Sequence, residues 1–260
     1  MDENFQTYLH RALRLTLPET YQAQAPNTLA SAKYQAQSEG GFQAVPFPGY
    51  TIVTPTGPED GDNQALFDRL TQFQHTLVEQ VGSEVLAPVP PSSFHLTLAD
   101  LIWDTAYTHA AADPGFEAKL QDQIAQIFQE CQSLTSHQPI KFEVLGLMLM
   151  TRAIAVCLAP ADEASYERIL TLRRAIYQHQ SLIGLGIEQQ YYFTPHISLG
   201  YFGSVPTPET RAAWASVFDR WNQQWLDGSP KEFWVRQAEL RKFDDMDRYY
   251  RQSAWAVLQF

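Results

Sequence analysis

Two of the seven histidines stand in matching surroundings, Ser-Phe-His95-Leu-Thr97-Leu-Ala99 and Thr-Pro-His196-Ile-Ser198-Leu-Gly200. Each is followed by a hydroxyl residue two positions on and by a very small residue four positions on, with apolar residues between. Side chains two apart in a strand share a face. His95, Thr97 and Ala99 are therefore expected on one face with Leu96 and Leu98 buried behind them, and His196, Ser198 and Gly200 likewise. Histidine titrates near neutrality, so two of them can divide the work of general base and general acid. The two hydroxyls, Thr97 and Ser198, can donate hydrogen bonds to oxygens that gain charge in a transition state.

The bare tripeptide His-x-Ser/Thr is a weak signal. With 32 Ser and Thr among 260 residues, seven histidines give about one match by chance. His179-Gln-Ser181 is a third match, but it closes a helical pattern and lacks the apolar alternation, so it is set aside. Duplication of the longer pattern on two strand-like segments carries the information. Other groups are weaker. His109 and Asp113, at helical spacing, lack the third protein ligand usual for catalytic zinc. Cys131 and Cys157 form no C-x-x-C pair and read as core. Trp103, Tyr191 and Tyr192 flank the motifs and could stack on a base. Tyr201 alternates away from His196 and reads as core or rim. Tyr50 could reach the site from a neighbouring strand, and Arg152 falls on an exposed turn.

The elements that must hold these residues can be read from periodicity and breakers. A first helix is expected near Phe5–Leu15, a strand at Tyr50–Thr54, and a helix from Gln64 to Val81 with Leu66, Leu70, Phe73, Leu77 and Val81 at helical spacing and Asp62 or Asn63 as cap. A strand at Phe94–Leu98 follows, then a helix over 114–134. Apolar strands Lys141–Met150 and Ala153–Ala159 read as a hairpin turning at Thr151–Arg152. A helix over 162–180, a strand Thr194–Phe202 and a helix Pro208–Trp225 come next, the last with Trp214, Phe218, Trp221 and Trp225 as a core stripe. Strands Phe233–Phe243 and Trp255–Phe260 close the chain. Hairpins mixed with helices predict an α+β fold with antiparallel pairing. Neither G-x-G-x-x-G nor G-x-x-x-x-G-K-[ST] occurs, which argues against dinucleotide and P-loop folds.

The 29 acidic and 18 basic residues leave a net charge of −11, a surface that repels long nucleic acid. The densest basic stretch, Arg236–Arg251, interleaves both signs and reads as a solvated face. No apolar run is long enough to cross a bilayer, and the N-terminus lacks a secretory h-region, so a cytoplasmic protein is expected.

The two His-x-Ser/Thr motifs and the helix–strand order around them resemble the 2H phosphoesterase superfamily, which includes bacterial RNA 2′-5′ ligases and cyclic phosphodiesterases. The resemblance spans roughly residues 47–260. It implies a bilobal, pseudo-twofold α+β fold, with two antiparallel-rich sheets lining a central groove, helices outside, and one motif from each lobe. Residues 1–46 lie outside the common pattern and are expected to form an extension packed on the domain. The implied activity is hydrolysis of a 2′,3′-cyclic phosphate or a related small or RNA-terminal phosphodiester, with His95, Thr97, His196 and Ser198 as the catalytic set. Tyr50, Tyr192, Ala99 and Gly200 are the expected substrate contacts, the two small residues leaving room for phosphate and sugar. Neither metal nor other cofactor is called for. The expected ligand is a small nucleotide or an RNA terminus, and the expected state is monomeric, with no membrane partner. The alternatives are a non-catalytic protein that binds nucleotides or RNA ends in the same groove, and an interaction module working through the N-terminal arm.

Overall fold

The computed structural model describes residues 3–134 and 138–260. The chain opens with helices α1 (Phe5–Arg14) and α2 (Pro18–Gln24), then a small hairpin of β1 (Tyr34–Ala36) and β2 (Phe42–Ala44). Strand β3 (Gly49–Val53), helix α3 (Gln64–Val81), β4 (Leu86–Pro88), β5 (Thr97–Trp103), α4 (Asp104–Ala110) and α5 (Phe116–Glu130) follow. The second half holds the hairpin β6 (Ile140–Leu149) and β7 (Ala153–Pro160), helices α6 (Glu163–Tyr177) and α7 (Gln180–Ile183), β8 (His196–Phe202) and α8 (Pro208–Asp227). It ends in β9 (Glu232–Val235), β10 (Gln237–Phe243), β11 (Tyr249–Tyr250) and β12 (Val257–Gln259).

Two five-stranded antiparallel sheets result. In one, β10 pairs β3, β3 pairs β5, and β11 and β12 both pair β10. The other runs β4-β8-β7-β6-β9. The α+β expectation holds, and each sheet contributes one histidine motif, on β5 and on β8. The segment expected as a single strand from Phe233 to Phe243 is divided at Arg236. Its first part, β9, pairs β6, and its second, β10, pairs β3, so this segment ties the two sheets together.

The helices follow their apolar stripes. Leu66, Leu70, Leu77 and Val81 of α3 are buried, as are Trp214, Phe218, Trp221 and Trp225 of α8 and Leu120, Ile124, Ile127 and Phe128 of α5. Helix α3 stops at Gly82, whose φ of 103° suits glycine. Asn63 precedes α3 without capping it by its side chain. Its amide instead donates to the Trp234 carbonyl and accepts from the Trp234 N–H, holding β9. The arm is not a loose appendage: Tyr8 of α1 and Tyr21 of α2 have no exposed surface, and the Tyr21 hydroxyl donates to the Leu147 carbonyl.

The mixed-charge stretch departs from its expected solvated face. Arg241 is 1% exposed and pairs with Glu239 and Glu59. Strand alternation turns Arg241 inward, and the two carboxylates offset the cost of burying the guanidinium.

Candidate active site

The two motif strands carry the same irregularity at the same place. In β5, Thr97 pairs with Val53 and Ala99 with Ile52, so Leu98 is an extra residue. In β8, Ser198 pairs with Ala155 and Gly200 with Ile154, so Leu199 is extra. Both bulges fall three residues after the histidine. One extra residue reverses the alternation beyond it. Ala99 and Gly200 consequently turn away from the histidines, and Asp100 and Tyr201 turn toward them.

That reversal corrects three expectations. Ala99 is fully buried and Gly200 is buried, so neither opens room for a ligand. A Cβ at Gly200 would lie 2.9 Å from the Ala87 carbonyl and 2.9 Å from Leu86 Cγ, so its smallness serves the approach of β4. Tyr201, expected as core or rim, lines the cavity between the sheets. Tyr50 is a fourth correction. It is fully buried, and its hydroxyl donates to Glu117 on α5, because on β3 its neighbour Thr51 takes the cavity side.

Two polar helix side chains hold the bulges. Arg173 of α6 donates to the Leu98 carbonyl at 2.6 Å, and Gln74 of α3 donates to the Leu199 carbonyl at 2.6 Å and to the Val89 carbonyl at 2.7 Å. Both side chains are buried. They interrupt apolar stripes, Gln74 between Leu70 and Leu77 and Arg173 between Leu170 and Ile176. A polar residue on a buried helix face is a readable signal, and this was the one that motif spacing did not use.

His95, Thr97, His196 and Ser198 all line one cavity of about 720 Å³. His95 Nδ1 lies 2.6 Å from the Ser93 carbonyl and His196 Nδ1 lies 2.8 Å from the Thr194 carbonyl. A carbonyl can only accept, so Nδ1 carries the proton in both rings. The carbonyl bond thus fixes the tautomer and leaves Nε2 as the nitrogen free to exchange protons. No hydrogen bond ties the Thr97 or Ser198 hydroxyl to another described residue.

The two imidazoles differ electrostatically. Burial pushes His95 down to about 4; the Ser93 carbonyl opposes this, and Arg241 and His196 add to it. Burial also lowers His196, but the Thr194 carbonyl and the Asp100 carboxylate favour its charged form, against Lys33. Burial raises Asp100, opposed by His196, Arg173 and Lys33. Tyr249 packs its ring 4.4 Å from the His95 ring. His196 is therefore the better proton carrier and His95 the better neutral base.

At the cavity mouth, Tyr192 is 44% exposed with the Arg11 guanidinium 5.4 Å from its ring, and Tyr191 is 52% exposed with its ring 6.2 Å from Trp103. Arg152 is exposed at the hairpin turn and also lines the cavity. Cys157 is fully buried, and Asp113 bonds Lys119. Among the described residues no three His, Cys, Asp or Glu side chains gather as a metal site, and no helix is long and apolar enough to cross a membrane.

Residues 37–155 match the family model 2H-phosphodiest, described as a domain of unknown function (DUF1868). No curated protein matches the sequence. Among solved structures, the conserved protein of unknown function ATU0111 from Agrobacterium tumefaciens is similar in fold, with a TM-score of 0.57 at 17% identity over 85% of this chain and 90% of that one. LigT from E. coli in its apo form aligns with a TM-score of 0.43 at 12% identity over 83% of this chain and 98% of that one. Usb1 from Kluyveromyces marxianus with uridine monophosphate aligns with a TM-score of 0.42 at 12% identity over 82% and 97%. The chain thus carries a stretch that matches a 2H-phosphodiesterase-type family model, within a two-sheet fold that brings one histidine motif from each sheet to a shared cavity.

Proposed function

We propose that the protein is a phosphoesterase that opens a 2′,3′-cyclic phosphate, or a related small or RNA-terminal phosphodiester, by paired histidine catalysis without a metal. The observation that carries this reading is the mirrored pair of imidazoles, each held through Nδ1 by the carbonyl two residues before it and each bordering the same cavity. Neutral His95 takes a proton from water through Nε2 as the water oxygen bonds to phosphorus. The bond from phosphorus to one ribose oxygen breaks, and protonated His196 gives its Nε2 proton to that oxygen. Thr97 and Ser198 donate to the non-bridging oxygens as their charge grows. A cavity of about 720 Å³ suits a ligand of mononucleotide size. The exposed rings of Tyr191 and Tyr192 are available to a base.

The test is turnover of the four 2′,3′-cyclic mononucleotides and of a short oligoribonucleotide ending in a 2′,3′-cyclic phosphate, each with and without chelator. Ring opening that survives chelation is the expected result. Activity lost in chelator and restored by a divalent ion would replace this mechanism with a metal-assisted one. Binding without turnover would favour a nucleotide- or RNA-end-binding protein.

A further inference from the structure

Four cationic side chains line the cavity, and three have other commitments or stand exposed. Arg11 pairs with Glu3 at 2.8 Å and also donates to Thr194 and the Phe193 carbonyl. Arg173 donates to the Leu98 carbonyl, with the Tyr191 carbonyl 3.5 Å away. Arg152 is exposed at the β6–β7 turn. The fourth, Lys33, is half-buried and has no carboxylate within 4.0 Å among the described residues. Its ammonium lies 4.6 Å from the Phe47 ring centre and 4.9 Å from that of Tyr201, whose side chain shares the cavity with Ser198 and His196.

The backbone around Lys33 is pinned to both sheets. Leu29 N–H donates to the Thr151 carbonyl and Ser31 N–H to the Phe202 carbonyl on one side, while Phe47 N–H donates to the Asp244 carbonyl on the other. The Lys33 carbonyl accepts from Val45 N–H at 3.0 Å, and adjacent Tyr34 stacks on Tyr201 and donates to Asp247. The arm thus crosses from one sheet to the other and presents a single ammonium between two rings at the cavity wall. Aromatic faces hold an ammonium in place without neutralising it. An anion that enters the cavity meets an ammonium that no ion pair among the described residues neutralises, with the Asp100 carboxylate acting on it only through space.

We propose that Lys33 is the substrate-binding cation of this site, supplied by the N-terminal arm and bonding an anionic phosphate oxygen of the ligand. The inference rests on the phosphoesterase reading and adds a residue that neither histidine motif contains.

The experiment compares wild type with Lys33→Met, Lys33→Arg and Arg14→Gln. Methionine keeps an unbranched apolar stem between the rings and removes the charge. Arg14 is exposed, so its loss controls for net charge. Inorganic phosphate binding, followed by calorimetry, reads the site without turnover. Loss of a charge-assisted bond weakens binding about tenfold to a hundredfold. Lys33→Met is expected to lose affinity in that range, Lys33→Arg to keep most of it, and Arg14→Gln to match wild type. With adenosine 2′,3′-cyclic phosphate, Lys33→Met should raise KM more than it lowers kcat. Undiminished phosphate affinity in Lys33→Met overturns the inference, even when the wild-type enzyme turns over cyclic nucleotide and the phosphoesterase reading stands. Phosphate binding that depends on Lys33 without any turnover sustains the anion site and counts against hydrolysis. A wild-type protein that neither binds phosphate nor opens a cyclic nucleotide overturns both.

Discussion

Replacing Asp100 by Asn tests whether the division of labour between the histidines is electrostatic. Asn keeps the shape of the side chain and leaves untouched the Asp100 backbone carbonyl, which accepts from Tyr177. What is lost is the one carboxylate that favours protonated His196. His196 Nδ1 is already engaged with the Thr194 carbonyl. Asp100 therefore acts through space and not by a direct bond at that nitrogen. An opposite charge close by shifts a pKa by about 1–3 units, and a through-space contact in a solvent-open cavity belongs at the low end, about one unit. The His196 pKa, already lowered by burial, falls further. In a profile of kcat/KM against pH, the basic limb marks loss of the acid's proton in the free enzyme. That limb should move acidward by about one unit, and the rate on its alkaline side should fall about tenfold. The acidic limb should stay near its wild-type position, because Asp100 is not among the groups that shift His95. Both limbs are macroscopic properties of the pair. An unshifted basic limb, or one displaced to higher pH, would refute the assignment of His196 as the acid supported by Asp100.

Three further outcomes are expected. His95→Ala and His196→Ala should each cost about 10²–10⁴-fold in kcat, with the double variant little worse than either single, and near-additive losses would show that the rings do not act as one unit. Both folded-state histidine pKa values lie below the ordinary 6.5, so the unfolded chain binds protons more readily. Stability should then be intact above pH 6.5 and fall as pH drops from there toward about 4. The His95 share is about 2 kcal/mol, reduced from the full linkage value because the residue is only partly buried at the cavity, and equal acid sensitivity of a His95→Gln variant in chemical denaturation would contradict it. Gln74→Leu removes the donor to the Val89 and Leu199 carbonyls. It should cost about 1–3 kcal/mol, seen as a fall of roughly 2–6 °C in Tm by thermal denaturation, and an unchanged Tm would show that the β8 bulge does not depend on it.

The elements were legible where a segment buries one face. The α3 span read from its stripe is Gln64 to Val81, as found, and the β6–β7 hairpin turns at Thr151–Arg152 as expected. Both follow from apolar periodicity, which in α3 outweighs the single interruption at Gln74. The strand expected at Phe94–Leu98 begins only at Thr97, because residues 94–96 lead into it irregularly from the Pro91–Ser93 turn, whose Ser93 carbonyl bonds His95. The arm was the least legible part. Its Gln- and Ala-rich composition reads as polar, and its value to the core rests on scattered residues, chiefly Tyr8, Ala12, Tyr21 and Ala25.

The motif shows most clearly what spacing can and cannot say. Strict alternation places His and hydroxyl together, and it does so correctly for His95 with Thr97 and for His196 with Ser198. It fails two residues later, because nothing in the apolar residues Leu98 and Leu199 announces an unpaired position. Each bulge has a partner elsewhere in the chain, a polar side chain on a buried helix face that donates to the bulge carbonyl. A buried Gln or Arg without such an acceptor would carry a desolvation penalty, which Arg173 avoids at the Leu98 carbonyl and Gln74 avoids by joining the Val89 N–H on the Leu199 carbonyl. The bulges turn Asp100 and Tyr201 into the cavity. Asp100 then favours the charged form of His196, and Tyr201 offers its ring to Lys33. The Asp100 contribution that helps to separate two otherwise matching histidines thus runs through the β5 bulge, whose Leu98 carbonyl Arg173 holds from a helix distant in sequence.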